Sequence, residues 1–224
     1  MSRPLTLRVA TELRLLVLIG GGEFSFGETA AIDEYLLANL PVDRRTVAFL
    51  PTASGSAEYA THFGKYLEGR DPSVHTANVP IYRGRDNRRQ KNLDLLRSAG
   101  MIYLGGGVAH NLADTITGSP AEEALQQGAR AGALVAAIGA SASLFGAHMR
   151  DVRSGTTLPG LHWLGGAVIE TSFDRDNDVG LRRLMSLPDV EIGIGLPAGT
   201  ALAVRGVGTT EIIGSGSIAV FCKG

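Results

Sequence analysis

Two serines, Ser141 and Ser143, stand where an apolar run gives way to small residues: Val135-Ala-Ala-Ile-Gly139-Ala140-Ser141-Ala142-Ser143. A serine hydroxyl carries out acyl transfer when a sharp strand-to-helix turn presents it. Such a turn admits only small residues two positions to either side, because the backbones crowd. With Ser141 on the turn, Gly139 and Ser143 fill those positions and alanines lie between. A helix start also offers free N–H groups to developing negative charge. Upstream, Leu104-Gly105-Gly106-Gly107 ends another apolar run. Its amides, with that of Ala142, could form an oxyanion hole. Ser141 is therefore the candidate nucleophile, and the amides of this loop and of Ala142 are the candidate oxyanion donors. The plainer alternative is an N-cap serine among small residues that serve close packing.

A hydroxyl near neutral pH needs a base to take its proton. The chain has five histidines. His62 and His75 fall in an expected helix and strand away from the turn. His148 lies two turns along the helix expected after Ser141, about 10 Å from it. His162 opens a strand and belongs at the far end of the sheet. His110, just beyond the Gly105–Gly107 loop, is the one imidazole expected to touch a ligand or stand in as a base. Glu23, after Gly20-Gly21-Gly22, could read a substrate amine or cap a helix.

Other chemistries lack their residues. Gly20-Gly-Gly22-Glu-Phe-Ser25 has serine where a dinucleotide fingerprint needs its third glycine. The single cysteine, Cys222, is in the tail, which excludes a cysteine nucleophile at the turn and an internal disulfide. Metal-ligand spacing is absent. Asp174-Arg-Asp-Asn-Asp178 lacks the glycine and glutamate of a calcium loop and reads as an exposed turn and cap. No cofactor or metal is expected.

The elements that must position these residues alternate along the chain. Leu15–Ile19, Thr46–Leu50, Val74–Ile81, Met101–Leu104 and Leu134–Ile138 read as strands, the most apolar of them buried on both faces as in a parallel sheet. Helices are expected around Ile32–Leu40, Glu58–Leu67, Asn87–Arg97, Ala109–Ile116, Ala121–Ala129, Ser141–Met149 and Asp178–Met185. After the strand Ala167–Glu170, the short runs Val190–Ile194, Ala201–Val204, Glu211–Ile213 and Ile218–Phe221 read as antiparallel strands closing one edge. The result is an α/β three-layer sandwich with a mostly parallel sheet. No repeat or linker interrupts it, so residues 1–224 read as one domain, with residues 1–13 as an N-terminal extension.

The chain resembles the dipeptidase E and cyanophycinase family of serine peptidases, from about Leu15 to Val204. The resemblance rests on Ile19-Gly-Gly-Gly-Glu23, Phe49-Leu-Pro-Thr-Ala53-Ser, Tyr103-Leu-Gly-Gly-Gly107, the serine turn, Ile169-Glu-Thr-Ser-Phe173 and Ile192-Gly-Ile194 with Gly199-Thr-Ala-Leu202. It implies a class I glutamine-amidotransferase-like (flavodoxin-like) fold. It also implies cleavage of dipeptides with N-terminal aspartate, or of an aspartate–arginine polymer. Carried over, Ser141 falls on the nucleophile, and Ala142, Gly107 and Gly106 fall on the oxyanion-hole positions. The base should be a histidine followed by phenylalanine, and Ser172-Phe173 stands there. The acid is missing from both positions the family uses, here Ser154–Thr157 and Leu196–Ala198.

The resemblance thus implies a hydrolytically inactive homologue that keeps a pocket for a small peptide or amino-acid-like ligand. Two other readings stand beside it: an active aspartyl dipeptidase with His110 as a relocated base, and a non-catalytic interaction protein. With Lys+Arg at 21 and Asp+Glu at 22, no basic face is concentrated enough to expect nucleic acid or an anionic membrane. No apolar stretch approaches the ~20 residues of a membrane span. One cysteine and no leader pattern lead us to expect a cytoplasmic protein, as a monomer or homodimer.

Overall fold

The computed structural model describes residues 5–223. Strands β1 (Leu15–Ile19), β2 (Thr46–Leu50), β3 (His75–Asn78), β4 (Met101–Leu104) and β5 (Leu134–Ile138) are the expected apolar runs, with β3 shorter than its run. They are followed by β6 (His148–Arg150), β7 (Thr157–Pro159), β8 (Ala167–Thr171), β9 (Ile192–Leu196), β10 (Thr200–Arg205), β11 (Thr210–Gly214) and β12 (Ala219–Cys222). The main sheet runs β11-β10-β1-β5-β4-β2-β3. Its β1 to β5 pairings are parallel, while β10 and β11 add an antiparallel edge.

Period-two alternation divides the strand residues between two cores. Leu16, Leu18, Ile102, Leu104 and Val135 face one side, with Leu96, Leu112 and Leu125 from helices α3 (Gln90–Ser98), α4 (Ala109–Thr115) and α5 (Pro120–Arg130). Leu15, Val17, Ile19, Phe49 and Tyr103 face the other, under α1 (Ala30–Ala38) and α2 (Ala57–Arg70), which supply Ile32, Leu36, Phe63 and Leu67. Burial of both strand faces is why these runs are continuously apolar. Residues 5–10 strap the two ends together: the Leu7 amide donates to Gly208 O, and the Ala10 amide to Trp163 O.

Two expectations need correction. The tail does not form one antiparallel edge: β9 pairs in parallel with β8, and β12 pairs antiparallel with β9, in a separate three-stranded sheet. The helix expected over Ser141–Met149 is only α6 (Ala140–Ser143). The carbonyls of Leu144, Phe145, Gly146 and Ala147 accept from the amides of Leu161, Leu164, His162 and Gly160, so they are unavailable for a helical ladder. His148 is therefore on β6, where its Nε2 meets Asp189 at 2.8 Å. A last helix, α7 (Val179–Met185), covers the small sheet through Leu181 and Leu184.

One buried carboxyl ties α1 to α2. Asp33 Oδ2 accepts from Thr29 Oγ1 at 2.7 Å and Tyr66 OH at 2.8 Å, while Oδ1 is buried with no partner among the described residues. Burial raises this carboxyl above its usual range, against the opposing pull of the Thr29 and Tyr66 hydroxyls and of Arg70, with Glu34 adding to the rise. The folded chain thus holds the proton to higher pH than the unfolded one. The associated stability is complete below the ordinary carboxylate value and is lost as pH rises through the folded value. Asp33→Asn, which cannot ionise, should show a Tm advantage over the parent that widens between pH 4 and pH 8, measured by calorimetry.

Candidate active site

The parallel strands end together at one edge of the sheet. There the turn after β5 faces the glycine loop after β4 and the end of β8. Gly139 makes the turn, with φ 60° and ψ −133°. That combination is costly for any residue with a Cβ, on the order of 1–3 kcal/mol. Ala140 is already helical, so strand and helix meet at a single residue. A Cβ built on Gly139 would meet nothing nearer than Gly106 Cα, at 3.9 Å.

Ser141, the candidate nucleophile, is not on that turn. It lies two residues further on, inside α6, with no exposed surface. Its Oγ donates to Gly105 O at 2.6 Å, across to the β4 loop. Ala142 is also misplaced as an oxyanion donor: it is fully buried and its amide donates to Gly139 O at 2.8 Å. The amide that follows the turn residue belongs to Ala140, which lines the cavity. The candidate donors Gly106 and Gly107 do lie here. Gly107 lines the cavity and, at φ +149°, comes so close to Ala53 that a Cβ would meet backbone at 2.4 Å. Gly106 is not on the cavity wall; its Cα lies 3.9 Å from the point a Cβ on Gly139 would occupy.

These elements enclose a cavity of about 580 Å³, a size that suits a small ligand. Ser172, at the end of β8, lines it with φ 50°, rare for a non-glycine residue. The Ser172 amide donates to Gly20 O at 2.7 Å, joining β8 to the end of β1. The lining also carries charge: Arg150 pairs with Glu170, and Asp151 and Arg153 line the cavity with them. The Ser154 hydroxyl, at 2.6 Å, holds the Asp151 carboxyl below its usual range, helped by the Arg153 and Ser154 amides and by nearby His110.

A model of peptidase family S51 matches residues 16–212. The chain belongs to peptidase family S51. No curated protein matches it in a search by sequence. Among solved structures, a similar fold occurs in a peptidase from an acI-B1 Actinobacterium. That protein is 22% identical, with a TM-score of 0.76 over 92% of this chain and 89% of that one. A peptidase E-type protein from Listeria monocytogenes EGD-e is 16% identical, with a TM-score of 0.64 over 91% of this chain and 100% of that one. At these identities the likeness is one of fold.

The remaining residues singled out for this S51 chain divide clearly. His110 is 57% exposed on α4, and its Nε2 sits 3.0 Å from Asp114 Oδ2. It lines a neighbouring hollow with Asn111 and Arg153, not the wall at Gly139. Glu23 caps a single 3-10 turn, accepting from the Ser25 amide at 3.4 Å and the Ser25 hydroxyl at 3.2 Å. It is not on the cavity wall. Sequence reasoning missed Gly139 itself, Ser143 and the Arg150–Glu170 pair. The available signal was the strand end: a run that stops at Ile138 puts the turn on the next residue. Among the described residues, no group of three or more His, Cys, Asp or Glu could hold a metal ion, and no helix is long and apolar enough to cross a membrane.

Ser141 is thus a positioning residue that clamps the glycine loop. Ser141→Ala removes the hydrogen bond and leaves Gly105 O unpaired. It should cost about 1–2 kcal/mol, seen as a fall of roughly 2–6 °C in Tm.

Proposed function

We propose that this S51 chain is a hydrolytically inactive member of its family that retains the peptidase cavity as a pocket for a small peptide or amino-acid-like ligand. The observation that carries this reading is the identity of the turn residue. In a nucleophile elbow the reacting side chain stands on the strained residue between strand and helix. In this chain that residue is Gly139. Glycine has no atom with which to attack a carbonyl carbon.

The partners of a nucleophile are wanting as well. The family's histidine position carries Ser172, whose Oγ lies 3.5 Å from Gly20 O. A hydroxyl there cannot accept a proton at neutral pH as an imidazole does. Ser141 cannot substitute as nucleophile, because its hydroxyl is sealed in the interior and its proton is committed to Gly105 O. His110 cannot serve as its base through that packing, and Asp114 already engages its Nε2. An enzyme stripped of triad members keeps only what oxyanion hole and binding supply, about 10³–10⁴ over water. On an amide bond that amounts to no useful turnover.

Purified protein should therefore leave aspartyl dipeptides uncut above the buffer background, and Ser141→Ala should not change that. The double variant Gly139→Ser with Ser172→His returns a nucleophile and a base to the cavity. It should gain labelling by a serine-directed fluorophosphonate, with no labelling in either single variant. Turnover of an aspartyl dipeptide by the wild-type chain, abolished by Ser141→Ala, would refute the reading.

A further inference from the structure

The connection between β3 and α3 carries the densest run of positive charge in the chain. Arg83, Arg85, Arg88, Arg89 and Lys91 fall within nine residues, against one acid, Asp86. The whole chain has a formal net charge of -1, so this concentration is local and not a property of the composition.

The acid builds the loop more than it neutralises it. Asp86 is only 5% exposed. Its Oδ2 accepts from the amides of Tyr82, at 3.3 Å, and Arg83, at 3.2 Å. Its Oδ1 lies 3.1 Å from Arg89 Nη2 and 3.8 Å from Arg85 Nε. Asn92 Nδ2 donates to the Asp86 carbonyl at 3.0 Å, which ties the loop to α3. Buried Asn87 donates from Nδ2 to Thr115 O at 2.8 Å, which ties it to the end of α4. The loop is thus tethered from beneath, and its cations are left outside. Arg83, Arg88 and Lys91 are exposed and form no ion pair among the described residues. Asp94, the next acid along α3, is taken up by Arg97 and Gln90.

Like charges fixed on one surface without counter-charge repel one another, and an anionic partner relieves that repulsion. With the backbone already tethered, less freedom is lost when a partner docks. The chemistry of the patch narrows the partner. One loop spans less than a duplex grip of about 6–10 phosphate contacts. The one aromatic side chain beside it, Tyr82, is half-buried and accepts a hydrogen bond from Asn78 Nδ2, so there is no row of rings on which single-stranded bases could stack. No exposed residue between Arg83 and Lys91 has an apolar side chain to enter a bilayer. Carboxylates on a short peptide need neither, and they suit the guanidinium fork.

We propose that the loop between β3 and α3 is a docking surface for a short acidic segment of a partner protein, whose carboxylates pair with Arg83, Arg88 and Lys91. This surface is separate from the cavity at Gly139 and does not depend on how that cavity is read.

The test uses the full-length protein and a fluorescein-labelled peptide of six glutamates alternating with glycine, followed by anisotropy at low salt. The peptide should bind saturably, at least about tenfold more tightly than its glutamine counterpart, and weaken several-fold as salt is raised. The triple variant Arg83→Ala, Arg88→Ala, Lys91→Ala should bind it at least about tenfold more weakly. A second triple, Lys65→Ala, Arg130→Ala, Arg175→Ala, removes three exposed cations elsewhere and the same net charge, and should bind as the parent does. The proposal is overturned by equal loss in the two triples, by the absence of saturable binding, or by tighter binding of a ten-nucleotide oligothymidylate or of phosphatidylserine vesicles than of the peptide.

Discussion

Everything at the candidate site follows from a backbone turn that one residue makes at the end of β5. Gly139, at φ 60° and ψ −133°, sends the chain from a buried strand into α6 without a loop. A serine can be held there only at a cost in strain, which active peptidases of this architecture bear in exchange for an exposed hydroxyl. A glycine bears almost none. The geometry of the turn is thereby kept with no side chain on the turn residue.

The neighbouring loop is kept in place by the same short helix. Ser141 reaches back to Gly105 O, and Gly107 packs against Ala53 so closely that no side chain fits. These contacts bring the Gly105–Gly107 segment against the turn, with Gly107 on the cavity wall. Ser172 closes a third side, pinned to Gly20 in a left-handed conformation. A serine that looked like the reacting group is thus part of the frame, and its burial is what makes it useful there.

Most of the fold was legible in the sequence. The continuously apolar runs Leu15–Ile19 and Leu134–Ile138 have no plausible place other than the middle of a parallel sheet, and the helices between them follow from their apolar stripes. The glycine loop after β4 was legible for the same reason, since it terminates such a run. The identity of the turn residue was not. Gly139-Ala140-Ser141-Ala142-Ser143 satisfies the small-residue rule with the turn on Ser141 and satisfies it again with the turn on Gly139, because alanine, glycine and serine are all small. Only the backbone dihedral separates the two registers. The early end of α6 was hidden too, because the competition for its carbonyls comes from residues 160–164, distant in the chain.

The most direct measurement is peptide mapping by mass spectrometry after exposing the wild-type protein to excess fluorophosphonate. No adduct is expected on Ser141, Ser143 or Ser172, while a serine hydrolase in the same tube is fully modified. Stoichiometric phosphonylation of Ser141 would contradict it, since that requires the hydroxyl to lie open beside a base.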